Sequence, residues 1–363
     1  MKMAPLIEAM GRHPDRIRQR LVHTGQHYDE RMSRSFFVDL GMPRPDIDLE
    51  VGSGSHAEQT ARVMVEFEKV CVRERPDVVI VVGDVNSTMA CTITAKKLGI
   101  KVAHVEAGLR SRDMSMPEEI NRLCTDVLCD YLFTTDAIAG QNLRAEGIPA
   151  ERIFFVGNVM IDTLLKHREI AAKLELASQW GLAPRRFATV TLHRPSNVDD
   201  PAVLRGILEA LNDIAREIPI VFPMHPRTRK RLQEFGLEAL VNHGPRPRGL
   251  WATDPLGYLE FLHLNMNAMM VFTDSGGLQE ETTVLGVPCI TLRNNTERPI
   301  TCEVGTNFLA GSGRASILRH AAAVLRGDAR RGRVPDKWDG RAAQRIADIL
   351  ARLDVAAQPA VPA

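Results

Sequence analysis

The sequence predicts an α/β protein with two Rossmann-like domains, each built on a doubly wound parallel sheet. Three observations support this prediction. Apolar runs of strand length alternate with helical segments from Val78 onward, and the alternation restarts at Ala188 after a longer helix at 160–176. Polar side chains also recur directly after the predicted strands. Because parallel sheets bind ligands outside the carboxyl ends of their strands, those side chains predict one site in a cleft between facing domains.

Composition narrows the possible functions. The chain has 363 residues, enough for two domains, and a net charge of +1, which gives no electrostatic reason to expect nucleic acid or an anionic membrane as partner. Apolar runs are too short to span a bilayer, and residues 1–10 lack a signal-peptide core, so we expect a cytoplasmic protein. Six cysteines without a Cys-x-x-Cys pair predict reduced thiols, and no cluster has the spacing of a zinc site.

The first half is predicted to begin with a helix at 2–10 and no strand before it. A strand at 16–23, a helix at 29–40 and a polar loop at 43–55 follow, and the capping box formed by Ser55 and Glu58 opens a helix that runs to about Arg75. The regular part then has strands at 78–82, 101–105, 131–134 and 153–156, with helices ending at 98, beginning at 117 and spanning 137–146.

The second half repeats the alternation. Strands are predicted at 188–192, 220–222, 249–252, 268–273 and 288–292, and helices at 203–216, 228–235, 256–264, 278–285 and 317–325. We place the first domain at 1–165 and the second at 166–340. A closing helix at 341–353 is expected to pack back on the first domain, and the small, proline-bearing tail 354–363 is expected to be disordered.

An anion site is predicted in the stretch 271–301. There a buried strand meets Ser275, Gly276 and Gly277 and then a helix, so free backbone N–H groups and the positive end of the helix dipole are available to phosphate. Glu281, one turn into the helix, could accept hydrogen bonds from ribose hydroxyls, and Arg298 offers a planar fork for a diphosphate. The same residues would also fit a tight turn followed by a solvated helix.

Acidic residues and a histidine follow other strands. Asp84 and Glu106 end two strands of the first half, and His193 ends the first strand of the second half. Asp84 could instead cap a helix, and Glu118 could complement a helix dipole, whereas glutamate caps poorly and leaves Glu106 without a structural role. Their joint placement favours an acid/base site.

Two other sequence motifs are only weak evidence for a different function. Gly52-Ser53-Gly54 lacks the third glycine and the preceding strand of a nicotinamide-binding fingerprint. Asp46-Ile47-Asp48 matches the Asp-x-Asp of metal-dependent glycosyltransferases, but it falls in the predicted loop.

Ordered motifs over nearly the whole chain resemble the non-hydrolysing UDP-N-acetylglucosamine 2-epimerase family. They are Thr-Gly-Gln-His at 24–27, Gly-Asp at 83–84, His-Val-Glu-Ala-Gly-Leu-Arg at 104–110, Pro-Glu-Glu-Ile-Asn-Arg at 117–122, Gly-Asn-Val-Met-Ile-Asp at 157–162, His-Arg-Pro-Ser-Asn at 193–197, Asp-Ser-Gly-Gly-Leu-Gln-Glu-Glu at 274–281 and Thr-Glu-Arg-Pro at 296–299. The resemblance implies two domains of the glycosyltransferase-B type, a cytoplasmic homodimer, a UDP-sugar substrate and no cofactor. It also implies interconversion of UDP-GlcNAc and UDP-ManNAc for surface polysaccharides, by elimination of UDP, a 2-acetamidoglucal intermediate and re-addition.

The resemblance also assigns roles by position. The catalytic candidates are Asp84, Glu106, Glu118 and His193. The substrate-binding candidates are Lys2, Phe261, Ser275, Gly276, Gly277, Glu281 and Arg298, with Phe261 near the uracil end. A regulatory substrate site would use Gln26, His27, Arg194 and His225.

Some features depart from the family pattern. The family begins with a strand and a Gly-x-Arg-Pro loop before the lysine that Lys2 matches, so a central strand and a site arginine are expected to be absent here. We expect a misplaced start codon rather than an inactive enzyme. Leu256 and Pro195 stand where some members carry a polar residue and an arginine, and Asp29 stands where some carry a glutamine.

Other functions remain open from the sequence. A 2-epimerase of a UDP-diacetamido-uronic acid or a hydrolysing epimerase would keep the chemistry. A transferase of the same fold would need an acceptor, and a non-catalytic binder would hold UDP without turnover.

Overall fold

The computed structural model describes residues 1–25, 40–246 and 248–353. Gln26 and His27, most of the predicted helix at 29–40 and the tail at 354–363 therefore lie outside the described residues. Within those ranges no helix combines the length and the apolar character needed to cross a membrane.

Helices and strands alternate along the chain as in other parallel α/β proteins. The helices are α1 Met3–Met10, α2 His56–Glu74, α3 Asn86–Lys97, α4 Pro117–Leu128, α5 Ala137–Ala145, α6 Val159–Ala172, α7 Leu176–Gln179, α8 Pro195–Val198, α9 Pro201–Ile214, α10 Pro226–Glu234, α11 Tyr258–Asn267, α12 Gly276–Leu285, α13 Pro299–Glu303, α14 Arg314–Leu325 and α15 Ala342–Ala351. The strands are β1 Val22–His23, β2 Ile47–Asp48, β3 Val78–Val82, β4 Lys101–Ala107, β5 Tyr131–Thr134, β6 Ile153–Phe155, β7 Ala188–Thr191, β8 Ile220–Pro223, β9 Asn242–His243, β10 Leu250–Thr253, β11 Met270–Thr273, β12 Cys289–Thr291 and β13 Asn307–Leu309.

The chain divides into two compact units. The first contains Met1–Thr163 and the described residues from Asp336 onward, and the second contains Leu164–Pro335. The first division falls inside α6, close to the predicted boundary at 165, and the second lies a few residues before the predicted boundary at 341. The cleft predicted between two facing domains stays a prediction.

The first unit is organised by the parallel sheet β3-β4-β5-β6. Along β3, Val79 and Val81 join the core beneath α2 and α3, while Ile80 packs on the opposite core beneath α1 and α15. Both faces of the sheet are therefore covered, which explains why its strands are almost continuously apolar. The closing helix α15 packs against α1, and the buried carboxylate of Asp162 caps it by accepting the backbone N–H groups of Ala342 and Ala343 at 3.1 and 2.7 Å.

The beginning of the first unit differs in part from the sequence-based prediction. The chain begins with the expected helix, α1, and the capping box of Ser55 and Glu58 is confirmed at the start of α2. The strand predicted at 16–23 comprises only Val22–His23. It pairs in parallel with Ile47–Asp48, which lies in the stretch predicted to be a loop. A two-residue strand inside a polar segment carries no periodicity, so only its long-range pairing reveals it.

The second unit contains a seven-stranded parallel sheet in the order β13-β12-β11-β7-β8-β10-β9. Strand order reverses at β7, which lies between β8 and β11 with Thr191 opposite Thr273. The carboxyl ends of β7 and β11 thus form the switch point of an open α/β sheet, where such folds bind ligands. Both sheets confirm the predicted α/β class, although the sequence analysis missed the short edge strands β9 and β13 and the short helices α8 and α13.

Candidate active site

A buried aspartate organises the switch point of the second unit. Asp274 follows β11 and is fully buried, and its carboxylate accepts the backbone N–H groups of His193 and Arg194 at 3.0 and 2.9 Å. It also accepts from Nδ2 of Asn197 at 3.1 Å and lies 2.8 Å from Nδ1 of His193. Burial alone would raise the pKa of Asp274, but the hydrogen bond and charge of His193 and the two backbone donors lower it. The sequence analysis placed Asp274 after a strand but missed that it orients His193.

His193 is thereby oriented towards solvent. Its side chain is 39% exposed, and because Nδ1 faces Asp274, Nε2 is the ring nitrogen that can reach a ligand. The His225 ring lies 5.8 Å away, centroid to centroid, and its Nδ1 accepts the Arg227 N–H at the start of α10. Burial and the positive charges of His193 and Arg227 lower the pKa of His225. Of the four predicted regulatory residues, the structure describes His225 and the half-buried Arg194 at this switch point.

The predicted anion site begins at the first residue of α12. Ser275 precedes the helix without a side-chain cap, so the first backbone N–H groups of α12 have no capping side chain. Gly276 lies against the side chains of Arg298 and Glu297, and a Cβ at this position would come within 2.6 Å of Oε1 of Glu297. A glycine is required there by close packing, and the glycine-led helix start keeps the geometry that binds phosphate.

Arg298 is held beside this helix start by two buried carboxylates. Its Nε lies 2.8 Å from Oε1 of Glu280, and its Nη1 pairs with Oε1 of Glu297. Glu297 in turn pairs with Nη2 of Arg293 at 2.8 Å, and Arg298 is only 5% exposed. The guanidinium is therefore fixed in position, and the sequence analysis missed both carboxylates that fix it.

Glu281 is buried rather than solvated. Its Oε1 accepts a hydrogen bond from the Tyr258 hydroxyl at 3.2 Å. Burial and the neighbouring charge of Glu280 raise the pKa of Glu281 to about 7, against the lowering effect of the Tyr258 bond. Phe261 is half-buried one turn further along α11 from Tyr258, on the same side of that helix. The sequence analysis did not identify Tyr258.

Asp84 of the first unit is held by a buried arginine. Oδ2 of Asp84 lies 3.2 Å from Nε and 3.0 Å from Nη2 of Arg122, and Nδ2 of Asn121 donates to the Asp84 carbonyl at 2.9 Å. The cap of α3 is Val85, so the alternative role of Asp84 as a helix cap is wrong. Asp84 is instead a partly exposed carboxylate in a fixed ion pair.

Glu106 lies in an unusual backbone conformation. Its φ angle is +78°, in a strand whose register with β5 shifts between Val105 and Ala107. Its carboxylate is buried and pairs with Nζ of Lys2. A non-glycine residue with positive φ at a strand irregularity stores strain, and such strain is concentrated at functional sites.

The two acids at the start of α4 have different surroundings. Glu118 is half-buried. Glu119 is buried and accepts the backbone N–H groups of Ser111 and Arg112, each at 2.9 Å, and it also pairs with Arg122. Burial alone would raise the pKa of Glu119, but these donors lower it. The Glu-x-x-Arg spacing of Glu119 and Arg122 was the sequence signal for this pair, which the analysis did not use.

These features define a class of protein. One unit carries carboxylates fixed by cations beside strand ends, and the other carries a candidate anion site at the switch point of a parallel sheet, as expected of an enzyme for a phosphorylated substrate. The family model for UDP-N-acetylglucosamine 2-epimerase matches residues 8–351. The chain therefore belongs to the UDP-N-acetylglucosamine 2-epimerase family of enzymes, and the resemblance seen in its motifs is confirmed.

Relatives and solved structures agree with this family. The UDP-N-acetylglucosamine 2-epimerase of Methanocaldococcus jannaschii is 43% identical over 96% of this chain and 95% of the relative. Its crystal structure with UDP-GlcNAc and UDP superposes with a TM-score of 0.88, covering 96% of this chain and 95% of that one. The UDP-2,3-diacetamido-2,3-dideoxy-D-glucuronate 2-epimerase of Pseudomonas aeruginosa is also 43% identical, over 92% of this chain and 91% of the relative.

Proposed function

We propose that the protein catalyses the reversible C2 epimerisation of UDP-GlcNAc to UDP-ManNAc, for surface polysaccharide synthesis. Family membership over almost the whole chain carries the proposal, because relatives at 43% identity include an enzyme of that name. The anion site and the paired carboxylates support it, since the reaction needs both a place for a diphosphate and groups that move a proton.

The second unit would bind the UDP part of the substrate. Backbone N–H groups at Gly276 and Gly277 would hold phosphate at the start of α12, with Arg298 beside them. Ser275 would contribute its hydroxyl, because its own N–H donates to Oγ1 of Thr273 at 2.9 Å. Glu281 would accept hydrogen bonds from the ribose, and Phe261 would lie near the uracil end.

The chemistry requires a proton to leave and return at C2, which is not an acidic position. A carboxylate takes the C2 proton, the C–H electron pair forms the C1=C2 bond, and the C1–O bond breaks with its electrons staying on UDP. The reverse addition delivers a proton to the other face of C2 while UDP rebonds to C1. Excluding water keeps the glucal intermediate from being lost.

The first unit would supply the groups that move this proton. The acid/base candidates are Asp84, Glu106 and Glu118. Different cations hold two of them: Arg122 pairs with Asp84, and Lys2 pairs with Glu106. Nε2 of His193, in the second unit, would contact the substrate near its diphosphate. Lys2, which pairs with Glu106, would act near the nucleotide, as the family resemblance implies.

One observation favours a second candidate substrate with a different sugar. The Pseudomonas aeruginosa relative, named for a diacetamido-glucuronate, is as similar in identity as the Methanocaldococcus jannaschii enzyme. The same elimination and re-addition would serve that substrate, whose sugar differs in its carboxylate and second acetamido group.

A homodimer and a cytoplasmic location complete the proposal. Val65 and Val72 of α2 are 54% and 57% exposed, and Ile120 and Val127 of α4 are 43% and 61% exposed. Each pair is seven residues apart and thus lies along one side of its helix, as expected of an apolar face that a second copy could cover. In light scattering coupled to size exclusion, Val72→Glu with Val127→Glu should give monomers, and the exposed control Val334→Glu should not.

Proton NMR with UDP-GlcNAc in D2O, without acceptor, metal or cofactor, tests the function. Deuterium entering C2 while UDP-ManNAc forms is the expected result. Free ManNAc with UDP would indicate the hydrolysing reaction, and turnover of only the diacetamido-uronate substrate would indicate the second sugar. Turnover that depends on an acceptor, or UDP binding without any turnover, would contradict an epimerase.

A further inference from the structure

A fully buried pair, His104 and Asp126, lies behind the strand ends that carry the acids of the first unit. His104 belongs to β4, two residues before Glu106, and Asp126 belongs to α4. Their side chains are 0% and 1% exposed. The proposed chemistry uses neither residue, so the reason for burying two ionisable groups here must come from their contacts.

Both ring nitrogens of His104 face acceptors. Nδ1 lies 2.6 Å from Oδ1 of Asp126, and Nε2 lies 2.9 Å from the carbonyl oxygen of Gly83. A carbonyl oxygen can only accept, and a neutral imidazole has a single N–H donor. The ring satisfies both contacts when both nitrogens carry hydrogens, which makes it a buried imidazolium.

Asp126 is kept as the matching carboxylate. Its Oδ2 lies 2.6 Å from Nη1 of Arg110 and accepts the Gly108 N–H at 3.0 Å. Burial alone would raise the pKa of Asp126, but the charges and hydrogen bonds of His104 and Arg110 lower it. An ionised Asp126 has no hydrogen to give to His104, so the hydrogen between them belongs to the ring.

The pair fixes the backbone on both sides of the candidate acids. Gly83 immediately precedes Asp84, and Gly108 lies two residues after Glu106. Both glycines have positive φ, +75° and +82°, so these are bends whose direction side-chain anchors can set. One end of the pair holds the turn after β3, and the other holds the turn after β4.

We propose that His104 and Asp126 are positioning residues: an imidazolium–carboxylate pair that holds the turns carrying Asp84 and Glu106 in their reactive placement. This inference rests on the proposed function. It predicts that loss of the pair lowers the rate of the chemical step rather than the affinity for UDP, since misplacing a catalytic group by about 1 Å can cost about 10²-fold in rate.

The chain offers a matched control on the same strand. Asp130 accepts the Val102 N–H at 2.8 Å and pairs with Lys96 at 2.8 Å, so it is also a carboxylate that anchors the backbone of β4. It acts at the beginning of the strand, away from the turns that carry the acids. Asp126→Asn and Asp130→Asn therefore each remove a backbone anchor of β4, but only the first disturbs those turns.

The experiment compares wild type, Asp126→Asn, His104→Gln and Asp130→Asn in the D2O epimerisation assay, with rates normalised to the folded fraction. We expect kcat to fall at least about 30-fold in the first two variants with KM within about threefold, and Asp130→Asn to stay within about threefold of wild type. Equal normalised kcat for the two asparagine variants would overturn the inference.

A second measurement applies even if the variants fold poorly. ¹⁵N NMR of the wild-type protein, with the ring signals assigned through their bonds to the His104 backbone, should show both ring nitrogens of His104 protonated under assay conditions. A ring protonated on one nitrogen only would also overturn the inference. A wild-type protein that epimerises no UDP-sugar would instead contradict the proposed function, so the two failures are distinguishable.

Discussion

The candidate sites of the two units use opposite charge arrangements. In the first unit the candidate functional groups are carboxylates and cations support them: Arg122 holds Asp84 and Lys2 holds Glu106. In the second unit the candidate functional groups are positive: backbone N–H groups and Arg298 are proposed to bind a diphosphate, and Glu280 and Glu297 support the arginine. From this difference we infer a division of roles, in which the first unit governs the chemical step and the second governs nucleotide affinity.

The largest expected effect comes from neutralising the acids of the first unit. We expect Asp84→Asn, Glu106→Gln and Glu118→Gln each to lower kcat by about 10³-fold, because each removes a group that can take or give a proton. The affinity for UDP, measured by calorimetry, should change little.

Glu66→Gln is the control for this prediction, since Glu66 is a half-exposed acid on α2 that pairs with Lys69. Near-normal rates in all three site variants would break the assignment of acid/base work to the first unit. A large loss of UDP affinity would break the division between the units.

The next largest effect is expected from Arg298→Ala. The substitution removes the Arg298 cation from buried Glu280 and leaves Glu297 paired with Arg293, so the free energy of unfolding should fall by about 3–5 kcal/mol. UDP binding should weaken as well. Denaturant unfolding with and without UDP separates the two effects, and a variant as stable as wild type would show that the carboxylates do not depend on Arg298.

A smaller effect concerns the pH dependence of stability through Glu281. Its pKa in the folded protein is raised from 4.5 to about 7, so the folded state favours the protonated form. Ionisation of this buried group therefore lowers stability progressively as pH rises from about 4.5 to about 7, and not further above that. Glu281→Gln removes the penalty and should gain up to about 3 kcal/mol relative to wild type across this window.

Unfolding curves of both proteins between pH 4.5 and pH 8 measure that difference. A difference that stays constant with pH would show that Glu281 does not titrate in this range. Weakened UDP binding by Glu281→Gln, alongside greater stability, would support a role for its carboxylate with the ribose.

The sequence predicted the parts of both regions that depend on local pattern. The strands Val78–Val82 and Tyr131–Thr134 agree with their predicted bounds, because short apolar runs bounded by polar residues leave little choice of strand ends. Local composition also predicted a helix directly after the stretch 275–277, although the helix begins at Gly276 rather than at Leu278. Strand pairing could not be predicted in this way. Asp274 orients His193 because β11 lies beside β7, where Thr191 pairs with Thr273, a residue 82 positions further along the chain.

The residues that hold the candidate site groups in place could not be predicted either, because they are also distant in sequence from the groups that they contact. Arg122 lies on α4, whereas Asp84 follows β3, so their pairing depends on how the helix packs beside the sheet. Glu280 stands beside Glu281 in a predicted helix, and the sequence gives no sign that it pairs with Arg298. Only the fold brings the two side chains together. Sequence motifs therefore supplied the candidate site residues, while the buried partners that fix those residues required the structure.

The smallest expected effect tests the packing of the anion site against a matched glycine. A Cβ at Gly276 would meet Arg298 and Glu297, whereas a Cβ at Gly206, inside α9, would meet nothing within 4 Å. Gly276→Ala should weaken UDP binding about tenfold by displacing the arginine, with kcat at saturating substrate nearly unchanged. Gly206→Ala should bind UDP normally and gain about 0.5–1 kcal/mol of stability from reduced backbone entropy in the unfolded chain. If Gly276→Ala instead lowered kcat at unchanged affinity, the second unit would take part in the chemical step, and the separation of binding from chemistry would no longer hold.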